Sequence, residues 1–167
     1  MSADFKYFAQ IIGEVVASVR ARANLSDPLA PYFQYGTYLE LVESCQVKDN
    51  NQATKYPLVW LVWDSSENSK KYIEPYMYAM NARVFIIHTA NIDDTTDERY
   101  TAPIESILYP IFELFVDEIG YHTNISLEAD YRYPVSDHAF WLNDAEGTFD
   151  VLSAIEIKLE NLLMVKS

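Results

Sequence analysis

The spacing of hydrophobic positions near the start of the chain predicts an amphipathic helix. From Phe5 to Ala23 the apolar residues recur at intervals of three and four, and they are Phe5, Phe8, Ile12, Val15 and Val19. This spacing places them on one stripe of a helix, which packs against a core while the other positions face water. Two prolines, Pro28 and Pro31, follow the end of this pattern near Asn24.

The run between Pro57 and Asp64 has bulky apolar side chains at every position. It is rich in β-branched and aromatic residues, which favours a β-strand bounded by the proline and by the turn at Asp64. Side chains alternate across a sheet, so Trp60 and Val59 are predicted to be buried on opposite faces. The strand is therefore interior, with a helix on one side and either a second layer or another subunit on the other.

Other segments predict further strands. Arg83–Thr89 is apolar on both faces like the first strand, and the two are predicted to pair. We interpret Tyr32–Val47 as one strand bulged near its glycine, and Tyr121–Val135, which alternates, as a half-exposed strand. Ser136–Asp150 is predicted to be a long loop. The last strand alternates through Ile155, Ile157 and Leu159 and loses its alternation after Asn161, which indicates a bulge or a buried end.

A second helical pattern covers Glu98 to Ile119 and is the longest in the chain. Its apolar stripe consists of Tyr100, Ile104, Ile107, Leu108, Ile111, Phe115 and Ile119. Pro103 and Pro110 interrupt it, and Pro110 predicts a kink because it removes a backbone donor and crowds the preceding turn. Gly120 is expected to end the helix.

These elements predict an α+β fold within a single domain of residues 1–167. The expected sheet is twisted and mainly antiparallel, with about four to five strands, because neighbouring strands joined by short connections tend to pair. The N-terminal helix and the long kinked helix are expected to pack on it.

Charge narrows the set of partners. The chain has 25 acidic and 12 basic residues, which gives a formal charge of −13 spread along the sequence. Such a charge opposes capture of nucleic acid or of an anionic membrane, since both depend on clustered lysine and arginine. We expect no specific nucleic-acid binding and no membrane association. No basic segment followed by an apolar run stands at the N-terminus, so we expect synthesis in the cytoplasm.

The sequence shows no pattern typical of catalysis, cofactor binding or metal binding. The four glycines are isolated and form no phosphate-binding loop. Cys45 is the only cysteine and is expected to be a small buried residue. A spatial cluster of His122 and His138 with Asp137 or Asp144 is left open, and His88 is expected to be structural. With 25 acidic residues, chance pairs of carboxylates carry no information, so we predict no enzyme, no catalytic residues, no cofactor and no metal.

Three segments resemble a family of phage proteins. They are Tyr56–Leu61, Glu98–Glu113 with its Ile-Leu-Tyr-Pro-Ile-Phe-Glu run, and Ala154–Leu159. Together they look like small virion proteins of phages that infect Bacteroidetes-type hosts, similar to tail-terminator or tail-completion (neck) proteins. The resemblance spans about residues 32–160. The aromatic-Trp-Gly step usual before the last strand is Phe140-Trp141-Leu142-Asn143 here, without the glycine.

The resemblance implies a structural virion protein that forms a homo-oligomeric ring at the head–tail junction or tail end. Its partners would be copies of itself and neighbouring tail-tube or connector proteins, in the virion, after assembly in the host cytoplasm. Aromatic residues are favoured at interfaces, so the candidate interface residues are Tyr72, Tyr76, Tyr78, Tyr131, Tyr133, Phe140 and Trp141.

An acidic run follows the second strong strand, and it contains Asp93, Asp94, Asp97 and Glu98. It lacks the alternating oxygen ligands and the glycine of a helix-loop-helix calcium site. In a ring through which DNA passes, these carboxylates are candidates to face the channel and repel phosphate. An alternative is that the charge only maintains solubility.

A second function class also fits the charge. An acidic protein that mimics DNA would inhibit a nucleic-acid enzyme by binding its basic site, provided that its carboxylates match the spacing of duplex phosphates. Mass in solution separates the two hypotheses, because a ring predicts a multimer and a DNA mimic predicts a monomer or dimer.

Overall fold

The computed structural model describes residues 3–22, 30–45, 56–63, 71–74, 77–91, 93–127, 133–141 and 152–165. Its helices are α1 (Ala3–Arg22), α2 (Tyr38–Ser44), α3 (Thr96–Arg99) and α4 (Tyr109–Tyr121), and a π-helical segment, Tyr100–Leu108, joins α3 to α4. Its strands are β1 (Tyr32–Gly36), β2 (Leu58–Val62), β3 (Lys71–Glu74), β4 (Met77–Thr89), β5 (Ile125–Ser126), β6 (Val135–Trp141) and β7 (Leu152–Val165).

Two long antiparallel strands, β4 and β7, form the centre of one curled mixed sheet. The outer side of β4 carries β2 and β3 one after the other, and the outer side of β7 carries β6 and β5 in the same way. Strand β1 pairs in parallel with β2 at one lateral end. In the described part of the chain the sheet is therefore five strands wide, although seven strand segments build it.

One face of the sheet, the helix face, is covered by α1, the π-helical segment and α4. Alternate residues of the central strands point into this layer, such as Val59 of β2, Ile86 of β4 and Ile157 of β7, and all three are completely buried. The predicted stripe of α1 is buried against them, as are the apolar positions of α4. Burying stripes of this kind from two helices on one sheet face is the main hydrophobic contribution to the fold.

The opposite face, the α2 face, has a smaller core. It contains Trp60, Phe85 and Ile87 from the sheet, together with Leu41 of α2 and Cys45, which directly follows this helix. Trp60 is 4% exposed and Val59 is fully buried on the other face, so the prediction that both faces of β2 are covered is confirmed.

Polar contacts fix α1 against α4. The Arg22 guanidinium, at the end of α1, donates to Asp117 at 3.0 Å and to Glu118 at 2.9 Å. One turn further along, directly after α4 ends, the Nε2 atom of His122 lies 3.3 Å from a carboxylate oxygen of Glu14 of α1. Both contacts hold the C-terminal end of α4 against α1.

The predicted fold class is confirmed: an α+β protein with an N-terminal helix, a long bent helix and a mainly antiparallel sheet. The predicted pairing of the two strong strands is also confirmed, since Trp60 of β2 lies opposite Phe85 of β4. The pair formed by β1 and β2 is parallel, which the sequence did not indicate.

The interpretation of Tyr32–Val47 as a single bulged strand is wrong. Strand β1 ends at Gly36, and helix α2 begins immediately afterwards. Thr37 and Glu40 form a reciprocal capping box, in which the Thr37 side chain accepts from the Glu40 N–H and the Glu40 carboxylate accepts from the Thr37 N–H. This motif satisfies donors that a helix start leaves free, and it starts the helix where a bulge was expected.

Two expectations about the region after the long helix are also wrong. Within Tyr121–Val135 the described strand residues are Ile125–Ser126 and Val135, the first residue of β6, and Tyr121 still belongs to α4. Conversely, the expected loop Ser136–Asp150 begins as strand β6, which pairs with the first half of β7. Residues 142–150 of that expected loop lie outside the described part of the chain.

The long helix is bent as predicted, and its two prolines account for its irregular hydrogen bonding. Pro103 lies inside the π-helical segment, where a wider turn relieves the clash between a proline ring and the preceding carbonyl. Pro110 lies in the first turn of α4, where a missing N–H is tolerated. Gly120 does not end the helix, which continues to Tyr121.

The irregularity predicted after Asn161 is confirmed as a bulge. Asn161 has a φ of 53°, in the left-handed region, and the register between β4 and β7 shifts between Met80 and Ala82. The side-chain oxygen of Asn81 accepts a hydrogen bond from the Asn161 N–H at 2.6 Å.

Candidate functional site

The aromatic residues predicted to form an interface divide between two sides of the sheet. Tyr72 of β3 and Tyr78 of β4 are direct cross-strand partners on the side of β4 that also carries β2. Phe140 and Trp141 belong to β6, on the outer side of β7. The backbone pairing therefore places Tyr72 and Tyr78 on one side of the β4–β7 pair, and Phe140 and Trp141 on the other.

The remaining predicted interface residues differ in their placement. Tyr133 precedes β6 and is half-buried, because it packs against the core of the helix face. Tyr76 and Tyr131 lie outside the described residues.

Three exposed apolar residues that the sequence did not single out lie in β1 and at the start of α2. They are Tyr35, Tyr38 and Leu39, which are 43%, 40% and 65% exposed. Tyr35 projects on the helix face, whereas the ring of Tyr38 lies 6.4 Å from that of Phe85 on the α2 face. The Tyr35 ring lies 6.2 Å from the rings of Phe5 and Phe33, so one side of it is held by the protein while the other faces solvent. The sequence signal for this region is the Thr-x-x-Glu motif that begins at Thr37, because it predicts the start of a helix there.

Strand β6 shows a second exposed position at the other lateral end of the sheet. Val135 at its start is 37% exposed. The neighbouring Asp137 accepts a hydrogen bond from the Tyr109 hydroxyl of α4 at 3.0 Å. Burial and this hydrogen bond raise the pKa of Tyr109 to about 12. The contact fixes β6 to the helical layer.

The acidic residues Asp93, Asp94, Asp97 and Glu98 lie together around the start of α3. Glu98 closes a second capping box, since its carboxylate accepts from the Thr95 N–H at 2.8 Å and from the Thr95 hydroxyl at 2.7 Å. These bonds lower the pKa of Glu98. Asp97 occupies the first turn of the same helix, where negative charge is favoured by the exposed N–H groups. Part of this acidity therefore serves to start the long helix.

The histidine and acid cluster left open by the sequence does not form around His122. His122 is partnered by Glu14 of α1, and Asp137 is partnered by Tyr109. The two sites lie at opposite ends of α4. A helix of 13 residues is about 20 Å long, so the sites are separated by about this distance. Asp144 lies outside the described residues.

Other titratable and nucleophilic groups have structural roles. The Nδ1 atom of His88 lies 2.8 Å from the Thr89 carbonyl oxygen, and Cys45 is fully buried in the core of the α2 face as expected. Hydrogen bonds from Gln10 and His122 lower the pKa of Glu14. No group of three or more potential metal ligands occurs within the described residues.

A scan against protein-family models finds no match for this chain, and a search of curated proteins finds no similar sequence. None of the helices in the described part of the chain has the length and apolar character needed to cross a bilayer.

Proposed function

We propose that the chain is a structural virion protein that forms a homo-oligomeric ring at the head–tail junction or the end of a phage tail. In this role it is a tail-terminator or tail-completion protein and not an enzyme. Its neighbours are copies of itself and tail-tube or connector proteins.

One observation carries the proposal beyond the sequence resemblance. Exposed apolar side chains stand at both lateral ends of one sheet. Tyr35 belongs to β1 at one end, and Val135 belongs to β6 at the other end. A subunit with two different contact surfaces on opposite sides binds its copies head to tail, and such contacts close into a ring when each step adds a rotation. The curl of the sheet supplies a rotation of this kind.

The test is the mass and shape of the purified protein across a range of concentrations. Light scattering is expected to show a multimer of fixed size, and negative-stain images are expected to show particles with a central opening. A monomer or dimer at every concentration, together with tight binding to a basic nucleic-acid enzyme, would favour the DNA-mimic function instead.

A further inference from the structure

We propose that subunits join by extending the sheet, with β1 of one copy pairing antiparallel with β6 of the next, so that Tyr35 faces Val135 and Phe33 faces Asp137. This inference rests on the proposed ring function, and it adds the surface and register of the contact.

Among the described residues, the backbone groups of β1 that face away from β2 belong to Phe33 and Tyr35. The Tyr32 N–H donates to the Pro57 carbonyl, and the Gly36 carbonyl accepts from the Trp63 N–H. In a parallel pair every second residue bonds to its neighbour strand, so Tyr32, Gln34 and Gly36 face β2. The N–H and C=O groups of Phe33 and Tyr35 point outward, and β1 is the terminal strand of the described sheet.

Within the described part of the chain, the backbone groups of β6 that face away from β7 belong to Val135 and Asp137. The Lys158 N–H donates to the Pro134 carbonyl, which fixes that pair as hydrogen-bonded. Val135 lies opposite Ile157, so it occupies the next, non-bonded position, and the same holds for Asp137 opposite Ile155. Pairing with β7 remains regular as far as His138.

Strand direction favours the contact. Strand β1 runs parallel to β2, and three successive antiparallel pairs lead from β2 through β4 and β7 to β6. Strands β1 and β6 therefore run in opposite directions. When a second copy continues the sheet in the same orientation, its β6 meets β1 as an antiparallel partner, the arrangement that is slightly more stable per residue.

The orientations of the side chains also allow this pairing. Phe33 packs into the helix-face core and Tyr35 contacts Phe5 of α1, so both lie on the helix face. Asp137 contacts Tyr109 of α4, so it and Val135 also lie on the helix face. Directly paired residues must project from the same face of a sheet, and these do when the helical layers of both copies lie on one side.

Charge also favours this edge. Strand β1 has the sequence Tyr-Phe-Gln-Tyr-Gly, without a charge in a chain of net charge −13. Natural edge strands are commonly protected by lysine, proline or a bulge, and β1 has none of these. The carboxylate of Asp137 is already bonded to Tyr109. Two acidic copies can therefore approach here with little repulsion, and the aromatic Tyr35 gains a β-branched partner.

Disulfide trapping tests the register. Directly bonded antiparallel residues have Cα atoms about 5.5 Å apart, which suits a disulfide. Two single variants, Tyr35→Cys and a larger tagged Val135→Cys, are mixed and oxidised, with the native Cys45 left buried. A covalent dimer of the combined mass is expected, and it should be missing when either variant is oxidised alone.

The matched control mixes Val135→Cys with Tyr121→Cys, a tyrosine of α4 that is 77% exposed and is not part of either edge. Equal cross-linking in the control would show random collision and would overturn the proposal. Efficient cross-linking of Tyr35→Cys with itself would show a two-fold contact between β1 strands and would also overturn it. If rings form without a cross-link between the mixed variants, the result would contradict the proposed contact but would still agree with the ring function. A protein that stays monomeric throughout would contradict both.

A backbone variant tests the same contact independently. Tyr35→Pro removes the outward N–H while keeping the bonds of β1 to β2, and Tyr35→Ala removes the ring but keeps the N–H. Both should fold, as circular dichroism can verify. Tyr35→Pro is expected to raise the concentration for half-assembly about tenfold above that of Tyr35→Ala. Equal assembly of the two variants would contradict pairing through the backbone.

Discussion

The indole of Trp60 illustrates how closely the α2 face is packed. A Cβ atom placed on Gly36 would lie 3.0 Å from Cζ2 of Trp60, so the glycine provides the space that the ring occupies. The Nε1 atom of Trp60 is buried and has no hydrogen-bond partner among the described residues. The side chain therefore contributes through its volume and apolar area.

Replacement of Trp60 tests this contribution. Trp60→Ala is expected to reduce the free energy of unfolding by about 3–5 kcal/mol, because it removes buried area and leaves a cavity. Trp60→Phe should cost less than half as much, since it keeps most of the apolar volume and removes a buried donor. Denaturant melts of both variants give these values, and a loss below about 1 kcal/mol for Trp60→Ala would show that β2 is not central to the core.

The capping box of α2 gives a prediction about pH. Hydrogen bonds from the backbone and side chain of Thr37 lower the pKa of Glu40 from its ordinary value of 4.5. A lowered pKa in the folded protein gives stability that is present above the unfolded pKa and is lost as the pH falls through the folded pKa. Thr37→Ala is expected to cost about 1 kcal/mol at neutral pH.

The difference in stability between Thr37→Ala and the wild type should shrink as the pH falls below about 4, because Glu40 becomes protonated in both proteins. Glu43→Gln on the same helix serves as a control without a cap contact. Thermal melts at several pH values measure the difference, and a gap that is constant down to the lowest pH would contradict a role of the Glu40 charge.

At the scale of elements, helices and strands were predicted correctly from the sequence where one pattern of buried positions extends over the whole segment. The stripes of α1 and α4 and the two-faced strand β2 were recognised because every buried position there is apolar. Helix α2 was missed because Leu41 is the one buried residue among its described positions and the buried Cys45 follows its end, which is too little to show a helical period. Its cap at Thr37 was the more informative signal.

Strand β6 was missed for a different reason. It lies at the lateral end of the sheet and pairs with β7 alone among the described strands, so its sequence need not be apolar on both faces. Its partner lies beyond an intervening segment of the chain, and local patterns do not report such pairing. The proposed contact surface could not be predicted either. It depends on which residues of β1 and β6 direct their backbone groups outward, and on the relative direction of the two strands.

The bulge in β7 offers a test of an element's geometry. Asn161 adopts a positive φ and donates its N–H to Asn81. Asn161→Val is expected to lower the free energy of unfolding by about 1–2 kcal/mol, because β-branched residues are strained in this conformation. Asn161→Gly should be close to neutral. If both variants unfold at the same denaturant concentration, the strained position is not maintained in solution.

At the scale of the molecule, the negative charge and the uncharged β1 edge have different expected roles. The proposed ring needs places where acidic subunits can meet, and β1 provides one. The acidic residues around α3 remain candidates for a channel surface. The alternating charges of β7, Glu156, Lys158 and Glu160, are partly neutralised, because Oε1 of Glu156 lies 3.7 Å from Nη1 of Arg83.

Neutralising the acidic loop tests the channel hypothesis. The triple change of Asp93, Asp94 and Asp97 to Asn should leave folding and ring formation intact, because Glu98 still caps the helix. It should slow genome ejection if these carboxylates repel DNA in the channel. The matched control changes Glu43, Glu105 and Glu113, which are exposed elsewhere, to Gln. Normal ejection by the triple aspartate variant would assign the charge to solubility.

The central pairing of β4 with β7 has a kinetic consequence for assembly. Thr89 pairs with Leu152, so the loop that must close before the sheet forms contains the entire long helix, and such distant pairing is slow. Strands β1, β2 and β4 can associate earlier, and β6 can pair early with its sequence neighbour β7, but neither β6 nor β7 joins the sheet until β7 has docked on β4. An incompletely folded subunit would thus accept a neighbour at β1 but would not hold β6 at the other end of the same sheet, and it would terminate a growing ring. Ring formation during refolding should therefore wait until the amides of β7 are protected from hydrogen exchange, and assembly that precedes this protection would contradict the order.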